Sequence, residues 1–236
     1  MVTNDYVAQI AREQPRVLLG ASIHPYRRDA VEELERCIRL GAVLVKWLPL
    51  VQGFDPADDR CVPFYEALAH YRMPLLCHTG AENALPMLAP QYADPRLLIP
   101  ALKMGVKVIA AHCATRVFAW ETNFVPHFLR MLEDYEHLYG DTAAINAPGR
   151  WAIYHRILGR RGVREKLVHG SDWPIFPMPV VPRLGVRRSL ALLRESNWLR
   201  RDVLIKREIG LDDEYWHRAA KVLGLGGGGV GGKASE

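Results

Sequence analysis

Two histidines and an aspartate stand out by where they fall. His78 closes the apolar part of "PLLCHTG", His112 that of "VIAAHCA", and Asp172 sits in "HGSDWP" just before an aromatic-proline pair. Imidazole nitrogen and carboxylate oxygen are donors that suit zinc, manganese or iron. Taken singly each residue has a plainer role, as a satisfied strand-end histidine or as an aspartate that caps a turn. As a set they differ, because His78 and His112 are 34 residues apart and Asp172 is 60 further on. Those spacings return the chain to the same end of a repeating strand-helix unit, so the three side chains are expected to converge on one mouth.

Further polar residues share that end. Lys46 closes the run "AVLVKWLP" and His24 closes "RVLLGASIHP". Glu82 and Asn83 follow His78 in a loop and are candidate substrate contacts, with Lys46 and His24. Asp141 in "YGDTA" either points into the same mouth or caps the following helix. Strand alternation groups His78 with Leu76, His112 with Ala110 and Val108, and Asp172 with Gly170 and Val168 on the inward face. The same rule turns Cys77, Cys113 and His169 away from it.

The elements that must carry these residues follow from the apolar pattern. Six β-branched runs begin near Val17, Ala42, Pro74, Val106, His137 and Leu167, in steps of 25 to 32 residues. An eight-unit (β/α) barrel uses about 31 residues per unit; a doubly wound open sheet has a similar unit, and rhythm alone does not separate them. The linking segments read as crossover helices. "DAVEELERCIRLG" has Asp29 as N-cap, Val31, Leu34 and Ile38 on one face, and Gly41 as its stop. "VPFYEALAHYRM" and "NFVPHFLRMLEDYE" serve likewise, and residues 4–14 read as a helix feeding the first strand. Residues 1–225 form one domain, and the glycine-rich segment 226–236 reads as disordered.

The order strand-end His, strand-end His, strand-end Asp before an aromatic-proline pair resembles the amidohydrolase-related branch of the amidohydrolase superfamily. "GASIHPYRRDAVEELERCIRLGAVLVKWLP" adds to the likeness, which covers roughly residues 4–225. The resemblance implies an α/β, TIM-barrel-like (β/α) fold and a divalent metal, zinc first and manganese or iron as alternatives. It implies that His78, His112 and Asp172 ligate the ion, with Asp172 and His112 also catalytic. His112 would be a second ligand, or would orient the water and polarise the substrate. Lys46 would contact a substrate carboxylate or form an ion pair. Family members carry a His-x-His pair on their first strand, and none occurs here. The barrel is therefore expected to be incomplete, with about six of eight units and weakened metal affinity. The implied activity is hydrolysis of an amide, ester or lactone. The alternatives are non-oxidative decarboxylation, or a non-catalytic remnant that needs a partner chain.

Composition bounds the rest. The 236 residues are 49% hydrophobic, enough for a sizeable core. The net charge of +5 is spread over arginine pairs such as Arg27-Arg28 and Arg200-Arg201, which read as solvated helix faces and argue against nucleic acid. No apolar run is long enough to span a membrane. Four cysteines without a CxxC pair read as reduced thiols, and the chain as cytoplasmic. The expected partners are a small-molecule substrate and, at unpaired strand edges near Val17 and Leu167, a second copy or a complementing N-terminal segment, unless the helix at residues 4–14 or the glycine-rich tail folds over the opening.

Overall fold

All six apolar runs form strands in the computed structural model, which describes residues 2–179 and 181–225. They are β1 (Leu19–Ala21), β2 (Ala42–Trp47), β3 (Leu75–His78), β4 (Val108–Ala111), β5 (Leu138–Asp141) and β6 (Leu167–Val168). Each pairs in parallel with the next, giving one sheet in the order β1-β2-β3-β4-β5-β6. Parallel neighbours need crossovers, and helices supply them. The chain opens with α1 (Asn4–Glu13), and α2 (Ala30–Arg39) follows β1. Then come α3 (Pro49–Gln52) and α4 (Val62–His70), α5 (Ile99–Lys103) and α6 (Val125–Asp134). The last crossover holds α7 (Tyr154–Ile157) and α8 (Arg161–Arg164), and β6 leads to α9 (Val181–Leu184), α10 (Val186–Leu193), α11 (Trp198–Glu208) and α12 (Asp213–Val222). The segment 226–236, read as disordered, lies outside the described residues.

The two faces of the sheet bury different things. Val45, Trp47, Leu75, Cys77, Val108, Ala110 and Leu138 pack outward against Leu34, Phe64, Leu68 and Phe128 of the crossover helices in one large cluster. Close approach of α6 to β5 uses Gly140, where a Cβ would meet the Phe128 ring at 2.5 Å and Cys113 Sγ at 2.8 Å. The inner face carries a smaller cluster in which Ile109 and Val168, with Leu76 and Tyr139, pack against Val222, Ala219 and Leu223 of α12. The inner face thus rests on α12. Val108 belongs to the outer face, contrary to the sequence expectation.

Each open edge is engaged by a helix, the β1 side by the segment 4–14 that the sequence offered as a cover and the β6 side by α12, which it did not. Lys166 O and Val168 O accept from Gly140 N and Thr142 N of the β5 side, so the intervening Leu167 carbonyl points to the open edge of β6. The Arg218 guanidinium of α12 donates to it at 2.7 Å and to Arg164 O at 3.0 Å. At the other edge the Asn4 side chain accepts from Ser22 N at 2.9 Å and donates to Ser22 O at 3.2 Å, completing the chain's hydrogen bonds much as a neighbouring strand would. Two local expectations also change. Asp29 stands at the start of α2 but makes no cap bond, because its carboxylate pairs with Arg27. Arg201 is not solvated; it is buried and donates to the carbonyls of Leu193 and Glu195.

Candidate active site

The C-terminal ends of the strands open on a cavity of about 540 Å³ whose walls include Lys46, His78, Glu82, His112, Arg150 and Asp172. His78 reaches it by alternation, on the same face as Leu76. His112 does not. Its register neighbour on that face is Ala111, opposite His78, while Ala110 pairs with Cys77 on the outer face. The strand ends at Ala111 and the backbone turns left-handed, with φ of 59°, 49° and 54° at His112, Cys113 and Ala114. That turn, costly for non-glycine residues, swings the imidazole inward where alternation would have turned it outward. Asp141 holds the turn: its Oδ1 accepts from His112 N at 2.7 Å and Ala143 N at 3.1 Å. Of the two roles open to Asp141, it brackets backbone, and it also borders the space beneath His112.

The two imidazoles stand edge to face with ring centroids 4.8 Å apart. His112 Nδ1 lies 2.9 Å from Ala143 O, which is an acceptor only, so the proton sits on Nδ1 and Nε2 keeps its lone pair. His78 Nδ1 faces Glu82 Oε2 at 3.6 Å, and its Nε2 is buried without a hydrogen-bond partner. Burial, His112 and the cations Lys46 and Arg150 hold the His78 pKa down to about 2. Burial with Arg150 and Lys46 holds His112 at about 3. Both rings are therefore neutral near pH 7, and the His78–Glu82 contact is not an ion pair. His112, neutral with Nδ1 tied back to Ala143 O, has the form in which imidazole ligates a metal, and His78 is likewise neutral.

Asp172 borders the same cavity from the loop after β6, four residues past the strand whose end the sequence assigned it to, and is exposed at the mouth. It also serves the turn, since its carbonyl accepts from Ile175 N at 2.9 Å. Burial by the cavity wall, then the like charge of Asp141, push its pKa upward, against the pull of Lys46 and Arg150.

The remaining candidates separate. Lys46, Glu82 and Asn83 border the cavity. Glu82 spends Oε1 on the amides of Ala84 and Leu85, and Asn83 donates to Glu121. His24 is not among the lining residues; its ring packs edge to face on Tyr26 and Phe54, at 5.3 and 4.9 Å, and its Nδ1 accepts from Tyr26 N. His169 meets Tyr215 and Trp216 of α12. Arg150 lines the cavity too, and the sequence reading missed it. Buried in the loop after β5, it donates to Thr115 Oγ1 at 2.9 Å and Ala81 O at 2.7 Å, so it ties the loops after β3 and β4 together and leaves a positive charge on the cavity wall. Its one sequence signal is an arginine a few residues past a strand tip, in "INAPGR". Gly80 permits the junction: its φ is +79°, and a Cβ would meet Thr115 O at 2.3 Å.

The unpartnered, buried Nε2 of His78 beside the free Nε2 of His112 fits a divalent ion. Among the described residues, no group of three or more His, Cys, Asp or Glu side chains is drawn together closely enough to hold one. The fold preassembles the imidazole pair, and Asp172 borders the same cavity.

Comparison with known proteins agrees with this architecture. Among curated proteins no relative matches the chain. Among solved structures it is similar to an uncharacterised TIM-barrel protein from Bordetella bronchiseptica, with 19% identity over 89% of this chain and 73% of that one and a TM-score of 0.59. It is similar to a putative 2-pyrone-4,6-dicarboxylic acid hydrolase from Pseudomonas putida, with 17% identity over 94% and 78% of the two chains and a TM-score of 0.63. A 2,6-dihydroxybenzoate decarboxylase from Rhizobium gives 16% identity over 94% and 76%, with a TM-score of 0.55. At such identities the likeness is one of fold: a parallel barrel-type sheet, of which this chain forms six strands. Sequence carries the assignment further, since the profile of the Amidohydrolase family matches residues 2–205; with its strand-end histidines at the mouth of that sheet, the chain belongs to this family.

Proposed function

We propose that the chain is a metal-dependent hydrolase acting on a small, carboxylate-bearing substrate, with non-oxidative decarboxylation as the second reading. One observation carries it: a neutral imidazole pair with free Nε2 atoms on the wall of a cavity that also holds two cations, Lys46 and Arg150. The family is generally metal-dependent. His78 and His112 would hold the ion, with Asp172 as the third donor and zinc the first choice for such a set. When bound, a divalent ion supplies Lewis acidity and lowers the pKa of water at that position to about 7.

The chain's own residues supply the rest. Lys46 and Arg150 give the cavity a positive wall that attracts a substrate carboxylate. Leu48, Leu85, Val117 and Ile175 give it an apolar one that excludes water. Asp172, its pKa raised, accepts the proton of the attacking water and returns it to the leaving group. In the second reading Asp172 instead delivers a proton to the carbon that loses carbon dioxide. Both readings suit the fold neighbours, one a putative 2-pyrone-4,6-dicarboxylic acid hydrolase and another a 2,6-dihydroxybenzoate decarboxylase. Four free, buried cysteines suit the reducing cytoplasm.

The test loads the purified chain with zinc and offers pyrone or lactone carboxylates and hydroxybenzoates, following ring opening and carbon dioxide release separately. Lys46→Met is the specific probe, since Arg150 also holds two loops. It is expected to raise KM roughly tenfold or more with kcat within a few-fold, the loss of one charge-assisted contact. A third reading, a remnant that works only with a partner chain, requires that no carboxylate substrate turns over and no zinc is held.

A further inference from the structure

Helix α11 carries a charge pair that the proposed reaction does not use. Lys206 is fully buried, and its ammonium donates to Asp202 Oδ2 one turn earlier and to the carbonyl of Gly170, both at 2.6 Å. The other Asp202 oxygen accepts from Asn146 Nδ2 at 2.7 Å. Asn146 is itself fixed: its Oδ1 takes the Tyr154 hydroxyl at 2.8 Å, and its backbone carbonyl takes Met178 N at 2.8 Å. One ion pair on one helix therefore grips two loops. The loop after β6 is held at Gly170, two residues before Asp172. The loop after β5 is held at Asn146, between Ala143, whose carbonyl orients the His112 ring, and Arg150.

A buried ion pair is weak evidence of stability, because losing the hydration of two charges offsets most of their attraction. Its hydrogen bonds are directional, however, and an ammonium already fixed by Asp202 admits few positions for the Gly170 carbonyl. Burial of the pair is lopsided in purpose: Lys206 reaches a backbone carbonyl of the catalytic loop when Asp202 alone could have satisfied part of its charge. We propose that Lys206 and Asp202 are positioning residues that set the Asp172 loop against the imidazole pair, through Gly170 on one side and Asn146 on the other. This rests on the reading of His78, His112 and Asp172 as the active site.

The test compares the full chain with its Lys206→Met/Asp202→Asn double variant, which leaves no lone charge and keeps an acceptor for Asn146. Amide hydrogen exchange and zinc binding are read on each protein. Exchange in 169–178 is expected to quicken about tenfold while 142–150, whose Asn146 keeps its acceptor, and β2 to β4 keep their rates, as for a lost local restraint. Zinc affinity is expected to fall about tenfold, the effect of removing an outer hydrogen-bond partner from a metal site. Asn4→Ala, at the far edge of the sheet, serves as the control for general loosening. Unchanged loop rates overturn the proposal, as do loop rates that rise only together with those of the strands, or loosened loops with unchanged zinc affinity. An intact chain that binds no zinc while the loops loosen as expected overturns the metal reading and leaves the positioning role standing. Should the double variant not fold, Asn146→Ala severs only the β5 side and is expected to loosen 142–150 alone; no loosening there overturns the proposal.

Discussion

The two imidazoles are the residues on which the site depends, and their protonation gives a test that needs no substrate. His78 and His112 titrate at about 2 and about 3 in the folded chain, against an ordinary value of 6.5. The stability tied to their neutrality is complete above 6.5 and is lost as pH falls toward the folded values, because the unfolded chain takes up protons that the folded one refuses. Between pH 6.5 and about 5 this amounts to on the order of 2 kcal/mol per histidine. Asp141 works the other way: burial raises its pKa, so its contribution fades as pH rises through the folded value. In chelator-treated protein the melting temperature is expected to drop steeply between pH 6.5 and about 5, and His78→Gln/His112→Gln is expected to flatten that slope. An unchanged slope in the double variant would mean that the rings are already charged in the fold. The identity of this pair was legible in the sequence because strand-end histidines recur at the unit spacing. The means by which His112 faces inward was not, since a left-handed turn held by the Asp141 carboxylate leaves no periodic trace. Arg150 was hidden for a related reason: a loop arginine looks the same in sequence whether it meets water or a cavity wall.

At the scale of elements, the six strands and their crossovers were readable because parallel strands buried on both faces are continuous apolar runs. Each lies within two residues of its expected start, as at Ala42 and Leu167. The edges were readable only in part. The segment 4–14 was open as a cover and its Asn4 completes the hydrogen bonds of Ser22, whereas Arg218 of α12, which serves the Leu167 carbonyl, left no such trace. Nothing in a helix's own periodicity tells which strand it will lie against. Arg218→Met is expected to cost about 1 to 3 kcal/mol, the penalty for an orphaned carbonyl. Asn4→Ala is expected to cost less, because Ser22 is exposed and water can replace the amide. Since the two sites lie at opposite edges, their effects should add in denaturant unfolding; a strongly non-additive double variant would show that the edges are coupled through the sheet.

For the whole molecule, α12 is the element that covers the inner face of the six described strands. Ala219, Val222 and Leu223 cover Leu76, Ile109 and Val168, the inner-face residues that a closed barrel would bury among themselves. A chain ending at Leu211 is expected to lose the cover of both the inner face and the β6 edge, and to aggregate in light scattering where the full chain scatters as one defined species. No helix among the described residues is long and apolar enough to cross a membrane. The central claim is that the fold brings His78 and His112 together to hold a divalent ion. Zinc titration of the chelator-treated chain by calorimetry tests it directly. The expected result is one zinc per chain, with His78→Ala and His112→Ala each weakening binding about a hundredfold or more and Asp172→Ala weakening it less, as a donor that stands outside the preassembled pair. Zinc binding that neither histidine substitution alters, or none at all, would contradict it.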